Sequence, residues 1–208
     1  LRAMLAAKGL NYPHWEHVQA HDQNRHVCLL SQFPIVQRNS RIDYTYNLGE
    51  KTFPVGRGFL DVVIQVNDHY SFRAIVTHLK SKRQTDEGDQ ALMRLEEAKL
   101  LRAHIGKILK KEPTLNLIAM GDFNDGLDSV STKAVIAEAP FDLTPLPCKS
   151  DKGYVNTRYW ASHKEWSRID FLMVNPGMSN EFITGTARIH EGPSAGKASD
   201  HRLISAEF

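Results

Sequence analysis

The stretch Leu115–Asp125, LNLIAMGDFND, constrains this chain more than any other. Leu115, Leu117, Ile118, Ala119 and Met120 leave only Asn116 polar, the pattern of a strand covered on both faces at the centre of a layered α/β domain. Gly121 then permits a close backbone approach or an unusual dihedral at the strand end. Asp122, Asn124 and Asp125 follow within four positions. A carboxylate and an amide two residues apart on the rim of a rigid sheet can bind a metal, orient a water, or do both. The same residues also close Asx turns on their own backbone.

A chain of 208 residues, 41% hydrophobic and 24% charged, has enough apolar surface for one full core and requires no second domain. Its formal net charge of +2 is too small for a dedicated nucleic-acid arm, although it leaves room for local basic patches. Cys28 and Cys148 lie far apart with no CxxC or zinc spacing, so two unpaired core thiols are expected, and the compartment stays open. The sequence has no run of the ~18 apolar residues that a membrane-spanning helix needs, and no visible signal peptide. A monomer is expected.

Leu1, Met4 and Leu5, with Gly9 behind them, read as the last turns of an amphipathic helix. His14, His17, His21 and His26 invite a metal reading, but their segment lacks helical periodicity and is expected as a solvated loop. Val27–Leu30 reads as a strand, and 38–56 as a loop with one short strand. Residues 57–66 and 69–78 alternate well, predicting a β-hairpin that turns at Asn67-Asp68. The second strand ends at His78, and Lys80, Lys82 and Arg83 follow as a charged loop that is either solvated or an anion clamp. A long helix is predicted over 86–111 and a short one over 128–137, with a loop over 140–154. Arg168–Val174 reads as a strong strand in which Asp170 must face solvent, pair with a cation or orient another group, and a covered sheet favours the last two. A strand over 182–189, a loop over 192–197, Asp200-His201 and a closing strand over 203–208 complete the chain.

Together these elements let one sheet rim collect His78, Asp122, Asn124, Asp170, Asp200 and His201. HLKSKR, GDFND, RIDFLMV and SDH also stand in the order and rough spacing of the endonuclease/exonuclease/phosphatase superfamily, which the chain resembles from Val27 to Phe208, and most of all its bacterial nuclease-like members.

That resemblance implies a DNase-I-like four-layer α/β sandwich, with two mostly antiparallel β-sheets face to face and helices outside. It implies hydrolysis of a phosphoester with Mg²⁺ or Mn²⁺, by a nuclease in the first place, acting on nucleic acid or another phosphoester substrate. Residue by residue, His78 resembles the histidine on the scissile phosphate, and Asp122 the acid that orients or deprotonates water. Asn124 resembles the residue beside it on phosphate oxygen and the metal shell. Asp170 resembles the carboxylate that orients the catalytic imidazole His201, and Asp200 a metal-site acid, so that the implied metal set is Asp200, Asp122 and Asn124. Lys80, Lys82 and Arg83 suit the substrate's phosphates. The superfamily's early Asn and its Q-E motif have no counterpart before His26, so a domain lacking its first β-α-β unit is expected, with natural loss of function as the rival explanation. A phosphatase on small or lipid phosphates and an inactive binding module of the same fold are the alternatives.

Overall fold

The computed structural model describes residues 1–192 and 195–208. After a short helix α1 (Arg2–Ala6), β1 (His14–Val18) and β2 (Val27–Ser31) form an antiparallel ribbon, and β3 (Ile35–Arg38) leads to a small hairpin, β4 (Thr45–Leu48) and β5 (Lys51–Pro54). The long hairpin of β6 (Phe59–Asn67) and β7 (Tyr70–His78) follows, then α2 (Gln90–Lys111), β8 (Leu117–Asp122), α3 (Val130–Ile136) and β9 (Thr144–Pro145). A third hairpin, β10 (Arg158–Trp160) and β11 (Glu165–Ser167), precedes β12 (Asp170–Val174) and the short helix α4 (Pro176–Ser179). The chain closes with β13 (Arg188–Ile189), α5 (Ala195–Ala198) and β14 (Ile204–Ser205).

One six-stranded sheet, in the order β3-β6-β7-β8-β12-β9, organises the molecule. Only β7 and β8 pair in parallel, and α2 makes the crossover that such a connection needs. Alternation along the strands sends Phe59, Ile75, Leu117, Ala119 and Phe171 to one face, where Ala98, Leu101 and Ile105 of α2 and Val135 of α3 cover them. Leu60, Val62, Ala74, Ile118 and Leu172 point the other way, onto Val18, Val27 and Leu29 of the β1–β2 ribbon and Ile189 of β13. The fold is therefore α/β, with α2 and α3 on one side of the six-stranded sheet and the β1–β2 ribbon, β13 and Met178 of α4 facing its other side. Asp89 starts α2 by accepting from the amides of Ala91 and Leu92 at 2.8 and 3.1 Å, and Ser129 caps α3 in the same way.

The differences from expectation have local causes. His14–Val18 is a strand, because pairing with β2 buries Val18 while the imidazole of His17 faces out. Within 38–56 lies the β4–β5 hairpin, whose Tyr46 and Phe53 pack against the helix-side core. The β6–β7 turn falls one residue later, on Asp68-His69, after a register shift between Gln65 and Asn67. Only Arg188–Ile189 of 182–189 pairs as strand, since a turn from Ile183 to Thr186, with Gly185 at φ +88°, interrupts it. The closing strand shrinks to Ile204–Ser205. Part of the loop expected over 192–197 lies outside the described residues, and α5 takes residues 195–197 of it. Both cysteines are unpaired, but Cys28 is exposed rather than in the core.

A charged cluster is built into the core between the sheet and α2. Asp61, fully buried, accepts two hydrogen bonds of 2.6 Å from Arg73 and faces His104 Nε2 at 2.8 Å. Burial alone would raise the pKa of Asp61, but His104 and Arg73 outweigh it and hold the carboxyl below the ordinary aspartate range. Removing one partner of such a pair leaves an uncompensated buried charge, so Asp61→Ala is expected to destabilise the fold by about 3–5 kcal/mol in urea unfolding at neutral pH. A folded-state pKa below the unfolded value gives stability that is present above the ordinary aspartate pKa and lost as pH falls through the lowered one. The gap between wild type and variant should narrow correspondingly in acid, and a gap that stays constant down to the acid limit would contradict the assignment.

Candidate active site

Three neighbouring strands end in register at one rim. His78 lies opposite Asp122 across the β7–β8 pair, and Asp122 lies opposite Asp170 across β8–β12. Residues paired in this way project to the same face, so the strand ends alone bring one imidazole and two carboxylates together. Gly121 makes the approach possible: a Cβ there would stand 2.0 Å from the Thr77 carbonyl oxygen, and its φ of +135° is one that other residues rarely adopt.

His201 arrives from the C-terminal segment, which backbone bonds tie to β10: Tyr159 donates to the Asp200 carbonyl at 3.1 Å and Arg202 to the Thr157 carbonyl at 2.6 Å. The buried Thr157 hydroxyl also accepts from the amides of Ile169 and Asp170. His201 Nδ1 lies 3.1 and 3.0 Å from the two oxygens of Asp170. Its Nε2 lies 4.0 Å from Asp122 Oδ2, and His78 Nε2 approaches the same oxygen to 3.4 Å.

The electrostatics separate the two imidazoles. Burial, with Arg57 and His201 adding to it, pushes His78 down to about 4, so it is neutral at physiological pH. Burial and the neighbouring Asp170 charge push Asp122 up to about 6. The 3.4 Å approach of His78 to Asp122 is therefore no ion pair, because pairing would move both groups in the opposite directions. His201 is raised, chiefly by its hydrogen bond to Asp170, against the opposing effect of burial.

The loop after β8 is held by its own polar groups. Asn124, at φ +54°, donates its backbone N–H to Asp122 Oδ1 and its Nδ2 to the Leu79 carbonyl, both at 2.8 Å. The Asx turn and the rim carboxylate are thus the same residue, and the amide donor of Asn124 is already engaged. Asp200 is not brought to the cluster; its exposed carboxylate sits 3.2 Å from Arg158 Nε. Asp122, Asp170 and His201 are the group whose ligand atoms all lie within 4.8 Å among the described residues. Of the three cations after His78, Lys80 pairs with Glu87 at 2.5 Å and Lys82 with Asp125 at 2.9 Å, whereas Arg83 has no ion pair among the described residues.

Several residues that matter here were not singled out from the sequence. Arg57, buried, donates to the carbonyls of His78 and Leu79 and to Asp22. Glu97, buried on α2, accepts from the amides of Gly56 and Lys80 at 3.1 and 2.7 Å, and Arg94 binds Asp125 at 2.9 Å. Arg94 and Glu97 interrupt the apolar stripe of the long helix beside Met93 and Ala98, a signal that was present in the sequence. Arg158, Trp160 and His163 carry no such signal. The β10–β11 hairpin brings them to the wall of a cleft of about 750 Å³ that Lys82, Arg83 and Asn124 also line.

No known family profile and no curated protein matches the sequence. The fold, in contrast, recurs among solved structures. Sphingomyelinase C from Streptomyces griseocarneus superposes with a TM-score of 0.60 at 17% identity, over 99% of this chain and 77% of that one. A mutant beta toxin from Staphylococcus aureus with bound magnesium ions gives 0.60 at 16%, over 98% and 80%. An endonuclease/exonuclease/phosphatase family protein from Leptotrichia buccalis gives 0.60 at 15%, over 99% and 75%. The DNase-I-like architecture is therefore the fold of this chain.

If Asp170 sustains the basicity of His201, Asp170→Asn should lower the pKa of that imidazole, read from its ring protons in an NMR pH titration. An unmoved His201 titration in the folded variant would show that the 3.0 Å contact carries no electrostatic weight.

Proposed function

We propose that this chain hydrolyses phosphodiesters with the help of a divalent cation. The observation that carries the reading is the convergence of two carboxylates and two imidazoles on one sheet rim, with opposed protonation preferences, in a fold shared with a sphingomyelinase C and a magnesium-bound toxin.

The donor set fits a hard cation. Asp122 and Asp170 stand close enough that their mutual repulsion helps push the Asp122 carboxyl up to about 6, a strain that bound Mg²⁺ or Mn²⁺ would relieve. Those two carboxylates would hold the ion, which when bound supplies neutralisation of charge on the phosphoryl oxygens. Asp122 Oδ2, lying between the two imidazoles, has lone pairs left to accept a hydrogen bond from the attacking water and orient it. His78, kept neutral by burial, donates to a non-bridging phosphate oxygen without an excess proton. His201, held through Nδ1 by Asp170, keeps a proton on Nε2 where charge grows in the transition state. Asn124 and Asp125 act through the loop: one ties Asp122 to Leu79, and the other ties the basic loop to α2.

The purified chain with Mg²⁺ or Mn²⁺ is expected to hydrolyse bis(p-nitrophenyl) phosphate and to stop when EDTA is added. Asp122→Ala and His201→Ala should each lower kcat by about two orders of magnitude or more, since each group is needed as charge moves. Near-wild-type turnover by either folded variant would overturn the assignment.

The basic loop gives a separate outcome. Arg83, without a carboxylate partner among the described residues, is the cation best placed to release counterions on binding a polyanion, so Arg83→Ala should flatten the salt dependence of oligonucleotide binding by a slope of about 1. Lys80→Ala should change it less, because Lys80 already neutralises Glu87. Equal slopes for wild type and Arg83→Ala would return the loop to a solvated surface.

A further inference from the structure

We infer that the β10–β11 hairpin is a stacking arm for a nucleobase, which makes the substrate of the proposed phosphodiesterase a nucleic acid or nucleotide rather than a lipid. The inference rests on the phosphodiesterase reading of the rim and names its substrate class.

The cleft of about 750 Å³ is lined on one side by Asn124, two residues after Asp122, and on the other by Arg158, Trp160 and His163 of the hairpin, so a group bound in it lies beside the loop that leaves the rim. Its wall holds two flat rings in contact: Trp160 and His163 stack with centroids 3.9 Å apart and planes tilted by 33°. The Arg158 guanidinium lies 5.9 Å from the Trp160 ring centre, and Lys82 and Arg83 face the same space. Aromatic rings next to cations along one groove are what single-stranded nucleic acid requires: the rings meet bases whatever their sequence, and the cations meet the flanking phosphates. Of these cations Lys82 pairs with Asp125 and Arg158 with Asp200, and Glu165 lines the same cleft, which leaves Arg83, with no ion pair among the described residues, to meet a flanking phosphate. The hairpin's turn, Ala161-Ser162-His163-Lys164, is polar and exposed, and its exposed aromatic residues Tyr159 and Trp166 lie against each other, with the Arg202 guanidinium 3.9 Å from the Trp166 ring centre.

The arm is also wired to the chemistry. Arg158 forms an isolated antiparallel bridge with His201, and its Nε reaches Asp200 at 3.2 Å, so β10 and the catalytic imidazole share one backbone framework. A base seated on the Trp160–His163 stack would brace the segment that positions His201. Trp160 thus acts as a specificity-determining residue, not a catalytic one.

The test uses the whole chain. In Ca²⁺, binding of oligothymidylate is read by quenching of tryptophan fluorescence and by anisotropy of a labelled oligomer, against inorganic polyphosphate of matched charge. Oligothymidylate is expected to bind more tightly than polyphosphate, and Trp160→Ala to weaken it by about tenfold, with Trp160→Phe restoring most of the affinity because a flat ring is retained. With Mg²⁺, the loss of kcat/KM in Trp160→Ala should be about tenfold greater on an oligonucleotide than on methyl p-nitrophenyl phosphate, and should fall mainly on KM. Equal binding of both polyanions, equal loss on both substrates, or preferential hydrolysis of sphingomyelin micelles would overturn the inference. If no diester is hydrolysed at all, the phosphodiesterase reading fails by itself, and the binding comparison still decides whether the arm recognises bases.

Discussion

The parallel pairing of β7 with β8 is the contact on which the rest of this molecule depends. It places His78 beside Asp122, and the antiparallel addition of β12 places Asp170 on the other side, so three strand ends become one polar rim without any loop having to fold onto it. The pairing tolerates no Cβ at residue 121, where the Thr77 carbonyl fills the space. A parallel pair also needs a crossover, and α2 supplies it while covering the sheet face from Phe59 to Phe171. One register thus fixes the core, the helix and the site together.

Beneath the rim runs a layer of buried charge that holds loops rather than substrate. Arg57, Glu97 and Arg94 are each less than a tenth exposed, and they spend their hydrogen bonds on the main chain of His78, Leu79, Lys80, Gly56 and Gln90 and on the carboxylates of Asp22 and Asp125. Burial raises the pKa of Glu97, although two backbone amides and nearby Arg57 and Lys80 work against that shift. Such groups cost desolvation and give little net stability. What they provide here is position, since the loops they hold carry the histidine, the basic residues and the Asn124 turn. The Asp61–Arg73–His104 cluster, deeper under α2, belongs to the same class but lies away from the rim and serves the core alone.

The two imidazoles of the rim differ because their neighbours differ. His78 is surrounded by burial and the Arg57 guanidinium, and is driven neutral; His201 has a carboxylate on Nδ1 and is driven toward the cation. Asp122 lies between them, its carboxyl destabilised by burial and by Asp170. A neutral donor, an imidazole of raised basicity and a carboxylate pushed up to about 6 on one rim form a set that can act on a phosphoester near neutral pH.

The sequence by itself determined the period of each long element and the order of the polar residues along it. Unbroken apolar character marked β8 as interior, alternation marked β6 and β7, and the 3 to 4 residue spacing marked α2. These are local consequences of backbone geometry, and they place His78 and Asp122 at strand ends; Asp170 was expected inside the strand 168–174, and the structure starts β12 at it. Tertiary structure alone decided what meets them. Strand register across β7, β8 and β12 and the bonding of the 199–202 segment to β10 are long-range contacts that no local pattern encodes, and they brought His201 onto Asp170 while leaving Asp200 with Arg158. The short strands β1, β10 and β11 were invisible in sequence, and only one of β4 and β5 was expected, because three to five residues give too little periodicity, and their pairing partners and packing, not their propensity, make them strands. That is why the basic loop could be read from its charges, whereas the aromatic wall facing it could not.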